Sequence, residues 1–434
     1  MPPIMLLFLG LVLLLPSSLR AEPPVTSTYF RQSESQDGQV LTMQLAMRRF
    51  ERANDDRTVW LAAMVHIGDR GFYTTVQSRL DELDLVLFEG VRPPGAGRAE
   101  FDLAEATDDS RIKRTKRRIR SLAIAAEIHN RAHGRLPSTV DELVAGSSGR
   151  TLEFVNANLE DGWGRPLHLS LRTPESPDAA PAIEITSRGA DGQSGGNNAA
   201  ADIRLSDLPP IKPSEVPKPN EGRGLQQQMA SALGLVFQLD VMDHAKPNWR
   251  SSDLSVDQVA ERMGDGGDAN ELFRMLDGSG FTGTLAKMVM GLVRLFPTAQ
   301  VYGKLALMEA MLRADDLMLA TPRSMARAFD VILHDRNAVV LGDLKGVLET
   351  EPALKRIGII YGGAHMAGIE AGLRELGFTD AGADWHDAIR LDLRAAGFTA
   401  KEARDIREMI GKSLDGQIAA AKRKQKKTRN SGAD

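Results

Sequence analysis

Two histidines and a glutamate stand where this sequence could hold a divalent metal ion. His66 and Glu89 each directly follow an apolar run typical of a buried strand, and His365 follows a third such run after a short glycine-rich turn. Imidazole and carboxylate groups suit a transition ion, and an open coordination position lets a bound water act as a nucleophile near neutral pH. The three residues therefore indicate a divalent-metal site with hydrolytic chemistry.

The same residues also have a structural interpretation. Each histidine could be hydrogen-bonded within a core, and Glu89 could pair with Arg336 instead of a metal. The matching positions of His66 and His365 favour the metal site, but the pattern alone leaves both interpretations open. The remaining candidates either show no partner pattern or fit a core position, and we expect them to be structural: Tyr73, His244, His334 and His386.

The composition restricts any metal to nitrogen and oxygen ligands. The chain has 434 residues and no cysteine, which excludes disulfides, zinc–thiolate sites, iron–sulfur clusters and thiol nucleophiles. Its net charge is −4, so no overall basic field indicates a nucleic-acid partner, and none is expected. The length accommodates two or three domains.

Strands and helices that would position the candidate residues are predicted near both ends of the chain. Apolar runs at residues 59–65 and 85–88 predict two buried strands, and helical spacing at residues 72–83 places a helix between them. Residues 357–362 repeat the pattern, followed by a helix that stops at Gly377. Binding and catalytic residues of parallel sheets lie at the carboxyl ends of the strands, where both histidines are found. We therefore expect the two histidines to come from two halves of the chain that face one cleft.

The N-terminus predicts export. Residues 4–15 form an apolar run too short to span a bilayer comfortably, and small residues lead to a cleavage position after Ala21. We therefore expect a signal peptide over residues 1–21 and a periplasmic or extracellular mature chain. No basic residue precedes the apolar run, which leaves an uncleaved N-terminal anchor as the alternative.

Changes in composition predict an insertion in the middle of the chain. A helix with a basic first part is predicted from residues 111–120 onward. The stretch after it is rich in glycine, proline and asparagine and ends in a proline-rich linker. Helical spacing returns over residues 225–240 and 284–319. The predicted organisation is a leader at 1–21, a first core half at 22–107, an insert at 108–210, a linker at 211–223, a second core half at 224–410 and a basic tail at 411–434.

The segments that flank the insert resemble the TraB/GumN family, whose members are related to the Tiki proteases. The family signature is Gly-x-x-His after a first strand, a glutamate after a second strand, and another Gly-x-x-His in the second half of the chain. Here the matching residues are Ala63 to His66, Glu89 and Gly362 to His365, and Arg336-Asn337 matches an Arg-Asn pair that the family carries at a helix start. The resemblance covers roughly residues 40–105 and 224–395.

This resemblance implies a fold, an activity and a set of site residues. The implied fold is α/β, with a mixed sheet flanked by helices in two halves. The implied activity is metal-dependent hydrolysis of peptides or proteins, with manganese or cobalt as the ion. The implied metal ligands are His66, Glu89 and His365, and the implied catalytic residues are Glu89, Arg336 and Asn337.

One position departs from the family pattern. Ala63 stands where the family has glycine, and its methyl group narrows the space beside the cleft. This departure favours the alternative function, a non-catalytic envelope interaction protein linked to type II secretion or surface assembly.

The predicted insert has a resemblance of its own, to the C-terminal globular domain of the major pseudopilin of type II secretion. That resemblance implies an inserted α+β domain, a calcium ion bound by the last loop, and an envelope or secretion-related protein as partner. The four segments that carry it occur in order at residues 135–143, 161–167, 187–196 and 200–203.

The resemblance places the calcium site on three residues. Asp191 and Asp202 would supply carboxylates and Arg188 a backbone carbonyl, which is the oxygen-only ligation that calcium accepts. Residues 197–200 lack the acidic residue that the family usually has there, so the loop could equally be a glycine-rich turn held by its own backbone bonds.

Two basic runs remain, at residues 111–120 and 422–429. We expect both to be solvated helix faces or tails. The alternative is polyanion binding for the first run and contact with anionic lipid or polyanions for the C-terminal run.

Overall fold

The computed structural model describes residues 29–53, 55–90, 107–172, 181–212, 216, 225–263, 297–314, 316 and 330–430. The chain divides into two compact units. The first comprises residues 1–89, 223–252 and 266–434, and the second comprises residues 90–222 and 253–265. The predicted leader and most of the predicted linker lie outside the described residues.

Regular structure occurs throughout the described residues. The strands are β1 Phe30–Glu34, β2 Val40–Arg52, β3 Thr58–Met64, β4 Ile67–Gly68, β5 Leu85–Phe88, β6 His168–Arg172, β7 Ala182–Ser187, β8 Ile203–Arg204, β9 Val236–Phe237, β10 Trp249–Ser251, β11 Arg356–Gly362 and β12 Phe378–Asp392. The helices are α1 Arg70–Asp81, α2 Asp108–His133, α3 Val140–Ala145, α4 Gly149–Asn156, α5 Leu225–Ala232, α6 Val256–Met263, α7 Pro297–Leu312, α8 Arg336–Thr350, α9 Met366–Glu375 and α10 Ala400–Asn430.

The first unit contains a mixed sheet in the order β1-β2-β3-β11-β5-β10, with β12 also paired to β2. Strands β3, β11, β5 and β10 run parallel to one another, whereas β1, β3 and β12 each pair with β2 in the antiparallel direction. The predicted α/β class with a mixed sheet is confirmed. Its parallel strands are apolar runs buried on both faces, as parallel sheets require.

Strand β11 lies between β3 and β5 and pairs with both of them. The strand–helix–strand unit predicted near the N-terminus is therefore not a pair of neighbouring strands, because a strand from the far end of the chain separates them. The two halves share one sheet as a result. All three strands end at the same edge, since they run in the same direction.

Helix α1 covers this part of the sheet with the stripe that its spacing predicts. Phe72, Val76, Leu80 and the following Leu83 are all buried. Gly358 of β11 makes the close packing feasible, because a Cβ atom there would lie 2.9 Å from Cδ1 of Leu83. The sheet and its helices thus form a continuous apolar core.

The second unit packs the long helix α2 with the three-stranded antiparallel sheet β6-β7-β8. Thr107 caps the start of α2 by accepting a hydrogen bond from the Ser110 amide, and the helix ends at Gly134 with φ of 73°. The predicted basic run lies in its first half. A separate apolar core fills this unit, formed by Ile119, Leu122, Leu143, Val155 and Ile185 among others.

The structure differs in part from the helices predicted between residues 225 and 319. Residues 225–240 do not form one helix, because α5 ends at Ala232 and Gly234 adopts φ of +65° before the short strand β9. Of the predicted helical stretch at 284–319, residues 297–312 form α7, while residues 284–296, 315 and 317–319 lie outside the described residues. Within the part of the chain that the structure describes, no helix combines the length and apolar character needed to cross a membrane.

Candidate functional site

Three candidate residues lie just beyond the carboxyl ends of the neighbouring strands β3, β5 and β11. Gly362, the last residue of β11, pairs with Met64 of β3, and Ile360 pairs with Phe88 of β5. His66, Glu89 and His365 follow these positions within three residues of each strand end. The strand order of the first unit therefore brings segments from distant parts of the sequence to one edge of the sheet.

Glu89 is held in place from three directions. Its backbone amide donates to the carbonyl of Ile360 at 2.9 Å, Oε2 accepts from the amide of Gly362 at 2.5 Å, and Oε1 accepts from Nη2 of Arg336 at 2.8 Å. Burial by itself raises the pKa of Glu89. The guanidinium of Arg336 outweighs this effect, together with His365, His66 and the Gly362 amide, and the pKa stays below its usual value. Glu89 is therefore an ionised, largely buried carboxylate.

The imidazole of His365 has a defined tautomer. Asn337 Nδ2 donates to the backbone carbonyl of His365 at 3.4 Å, which orients the Asn337 amide so that Oδ1 faces Nδ1 of His365 at 2.7 Å. An amide oxygen only accepts hydrogen bonds, so Nδ1 must carry the proton and Nε2 must carry a lone pair. This Nε2 lies 3.6 Å from Oε1 of Glu89.

The electrostatics agree with a neutral His365. Its pKa is lowered to about 4, mainly by burial, with Glu89 opposing the shift and the electrostatic interactions with Arg336 and His66 adding to it. His365 is only 4% exposed. At neutral pH an imidazole lone pair and an ionised carboxylate therefore face each other across a short gap.

A π-helical turn positions Arg336 and Asn337 beside Glu89 and His365. Residues Val331–Asp335 form a π-helical turn that leads directly into α8, whose first two residues are Arg336 and Asn337. Both side chains are buried. Gly368 leaves the space that Asn337 needs, because a Cβ atom at that position would overlap Nδ2 of Asn337.

His66 lies at the exposed rim of this cluster. Its backbone carbonyl accepts a hydrogen bond from the amide of Gln238 at 2.9 Å, and its side chain is exposed. The electrostatic interaction with His66 contributes to lowering the pKa of both Glu89 and His365. Ala63 is buried within β3, opposite Tyr361 of β11. Within the described ranges, no group of three or more histidine, aspartate or glutamate side chains is close enough together to hold a metal ion.

Residues outside the two histidine motifs pack against His365 and hold its neighbours in place. The ring of Tyr361 meets the His365 ring edge-on, with 5.0 Å between centroids, and its hydroxyl donates to the carbonyl of Ser252. The hydroxyl of Ser252 in turn donates to Asp343 at 2.5 Å. Only the position of Tyr361 directly before the Gly-Gly-Ala-His segment could have drawn attention to it.

The other histidines of the first unit make local contacts. Nδ1 of His334 lies 2.6 Å from Asp330, and the ring of His244 lies 5.0 Å from that of Phe88. His386 lines a surface cavity of about 740 Å³ between the start of α1 and the end of β12. Tyr73 is fully buried and donates to the carbonyl of Val65.

The structure places the three calcium candidates of the second unit on the loop between β7 and β8, with Asp202 directly before β8. Asp202 is the most enclosed: its side chain is 10% exposed, Oδ2 pairs with Arg204 at 3.0 Å, and Oδ1 is buried with no hydrogen-bond partner within the described residues. Arg188 and Asp202 line a cavity of about 510 Å³. Asp191 is exposed and accepts from the amide of Gln193, and it is not among the residues that line that cavity.

The Asp-Gly-Trp-Gly segment of the second unit is a structural turn. Asp161 is 1% exposed and accepts hydrogen bonds from the amides of Trp163 and Arg165 and from the hydroxyl of Ser187, at 2.9, 3.0 and 2.6 Å. The amide of Gly162 donates to Thr115 of α2 at 2.8 Å. One buried carboxylate thus ties the turn to strand β7.

Comparison with known proteins gives one match. Residues 102–206 match the family model of type II secretion system (T2SS) protein G, which is about a quarter of the chain. Searches of curated proteins and of solved structures found no match. None of these comparisons supports the resemblance of the flanking segments to TraB/GumN proteins. Residues 102–206 of this chain are therefore similar to type II secretion system protein G, and the rest of the chain has no match in these comparisons.

Proposed function

We propose that this chain is an exported metal-dependent hydrolase of the TraB/GumN type that acts on peptides or proteins. The ligands would be His66, Glu89 and His365, and Arg336 and Asn337 would complete the catalytic group. The observation that carries the proposal is the 3.6 Å approach of the His365 Nε2 lone pair to the ionised Oε1 of Glu89.

The residues at this edge fit a divalent cation. Two electron-rich groups that face each other repel, and a shared cation satisfies both. Asn337 accepts a hydrogen bond from Nδ1 of His365 and so leaves its Nε2 available. Metal-ligating histidines are commonly oriented by such a hydrogen bond. His66 is exposed beside the pair, so its ring can turn toward them with little loss of packing. Two imidazoles and one carboxylate suit manganese or cobalt, the ions that the family resemblance implies.

Each protein group then has a distinct task. When bound, the ion would supply Lewis acidity and lower the pKa of a coordinated water. Asn337 keeps His365 oriented and Arg336 keeps Glu89 ionised, since its guanidinium contacts the carboxylate directly. Arg336 would also polarise a substrate carbonyl. The exposed position of His66 leaves this edge open to a substrate.

We expect Asn337→Ala to lower metal-dependent peptide hydrolysis by about 10- to 100-fold, because a ligand histidine that loses its second-shell partner loses its fixed tautomer. The assay uses the purified mature chain with Mn²⁺ or Co²⁺ and a mixture of unstructured peptides, with cleavage followed by mass spectrometry. His334→Ala is the matched control, because it removes an exposed histidine whose Nδ1 pairs with Asp330 and not with Glu89 or His365. Cleavage that persists unchanged after chelation of the metal would contradict the proposal.

A second candidate function is a non-catalytic envelope interaction protein. The match of residues 102–206 to a secretion-system family favours it, and so does Ala63 in the first motif. Under this hypothesis the inserted domain docks on an envelope or secretion-related protein in the periplasm or outside the cell. The two hypotheses differ in a measurable way, because only the first requires turnover of a substrate.

The loop of the second unit is a candidate calcium site under either hypothesis. A buried carboxylate oxygen without a partner, as Oδ1 of Asp202 is within the described residues, is what an oxygen-ligated cation would satisfy. We propose that Asp202 and Asp191 bind calcium through their carboxylates and Arg188 through its backbone carbonyl.

Millimolar calcium is expected to raise the Tm of the second unit in the wild-type chain, because a ligand that binds only the folded state stabilises it. The Asp202→Asn variant should lose this rise, since the amide that replaces the carboxylate is a weaker ligand. Asp207→Asn, at an exposed aspartate in the same unit, is the control and should keep it. A wild-type Tm that calcium leaves unchanged would exclude the site.

A further inference from the structure

The open face of the three-stranded sheet β6-β7-β8 carries the cavity of about 510 Å³ in the second unit. The other face of this sheet is apolar and packs on α2, because Leu169, Ile185 and Ile203 belong to the same core as the buried residues of that helix. Side chains alternate between the two faces along a strand, so the neighbours of these three residues point to the open face. Every residue that lines the cavity is polar or charged.

The strand register places three of the lining residues in one row across the sheet. His168 of β6 pairs with Thr186 of β7, and Thr186 pairs with Arg204 of β8. Neighbouring strands lie about 4.8 Å apart, so the backbones of the two outer residues are about 10 Å apart, with Thr186 between them. Because the threonine side chain is short and its two neighbours are long, the row forms a trough between an imidazole and a guanidinium.

Positive charge exceeds negative charge in the lining of the cavity. Three arginines line it, against two carboxylates. Both carboxylates already have partners, since Asp202 Oδ2 pairs with Arg204 at 3.0 Å and Glu184 Oε1 accepts from the amide of Ser206 at 3.0 Å. The guanidinium of Arg188 forms no ion pair or hydrogen bond within the part of the chain that the structure describes.

We infer that this cavity binds a phosphoryl group. A guanidinium presents its N–H donors in a planar fork that matches the oxygens of a phosphate, and exposed arginine side chains can turn toward such a ligand. The hydroxyl of Thr186 can donate a further hydrogen bond from the bottom of the trough. The volume lies within the range of small-molecule sites, about 300–1,000 Å³, so the cavity has room for the phosphoryl group and part of the molecule that carries it.

This site is independent of the two sites proposed above. It lies in the second unit, whereas His66, Glu89 and His365 lie in the first. The proposed calcium site uses the backbone carbonyl of Arg188, whereas a phosphoryl group would contact the guanidinium of the same residue.

The test is a calorimetric titration of inorganic phosphate into the full-length protein, at low ionic strength and without divalent cations. We expect Arg188→Gln to bind phosphate about 10-fold more weakly than the wild type, because it loses a charge-assisted hydrogen bond. This variant should fold normally, since Arg188 is exposed. Lys113→Gln removes the same charge from an exposed position of α2, the helix on the other face of the sheet, and should bind as the wild type does.

An absence of phosphate binding in the wild type, or equal affinity in the wild type and Arg188→Gln, would overturn the inference. Equal weakening in Lys113→Gln would also overturn it, because net charge alone would then explain the effect. Vesicles that contain phosphatidic acid distinguish the source of the phosphoryl group. Vesicle binding that only Arg188→Gln weakens would assign it to a lipid headgroup, and vesicle binding that is equal in the two variants would assign it to a soluble phosphate or phosphoester.

Discussion

Replacement of Arg336 by alanine is expected to lower the free energy of unfolding by about 3–5 kcal/mol. Arg336 is the cation that contacts Glu89, at 2.8 Å, and the two side chains are only 8% and 16% exposed. Without the guanidinium, Glu89 would be a buried carboxylate that faces the lone pair of His365 Nε2. Urea denaturation of the wild-type and variant chains measures the loss.

A second substitution separates the charge effect from lost packing. Glu89→Gln in the Arg336→Ala background should recover much of the stability, because it removes the uncompensated charge and keeps the shape of the side chain. Arg250→Ala is the matched control: it breaks an ion pair with Glu351 whose side chains are 49% and 34% exposed, and such pairs contribute about 0–1 kcal/mol. Equal losses for Arg336→Ala and Arg250→Ala would show that Glu89 does not depend on Arg336.

Replacement of Asp161 by alanine is expected to destabilise the second unit by about 3 kcal/mol, because it leaves one buried and two partly buried donors without their shared acceptor. These donors are the amides of Trp163 and Arg165 and the hydroxyl of Ser187. Hydrogen exchange followed by mass spectrometry measures the effect separately in each unit. Protection should fall in α2 and β7, while β3 and β11 of the first unit should keep theirs.

A neighbouring aspartate provides the control for this variant. Asp191 is exposed and accepts one backbone hydrogen bond, so Asp191→Ala should change protection only locally. If α2 and β7 exchange in Asp161→Ala as slowly as in the wild type, the carboxylate of Asp161 does not hold the turn to the strand.

Strand positions could be predicted from the sequence because local patterns encode them. The runs that form β3, β5 and β11 are apolar at nearly every position, which only a strand or helix buried on all sides tolerates. The order of these strands could not be predicted, since the pairing of β11 with both β3 and β5 is a long-range contact. That order is what brings Glu89 close to His365.

The candidate site was predictable in its residue types and not in its geometry. Strand ends and motifs indicated Glu89, Arg336, Asn337 and His365. The tautomer of His365 depends on which way the Asn337 amide faces, and this orientation follows from the backbone carbonyl of His365. The helix predicted over residues 225–240 failed for a local reason, because Gly234 adopts a positive φ and ends it.

The most direct test of the central claim is the metal content of the purified, untagged protein, compared with that of a His66→Ala/His365→Ala double variant. After loading with Mn²⁺ or Co²⁺ and removal of the free ion, elemental analysis should find about one equivalent in the wild type and little in the variant. Equal metal content in the two proteins would contradict the proposed site.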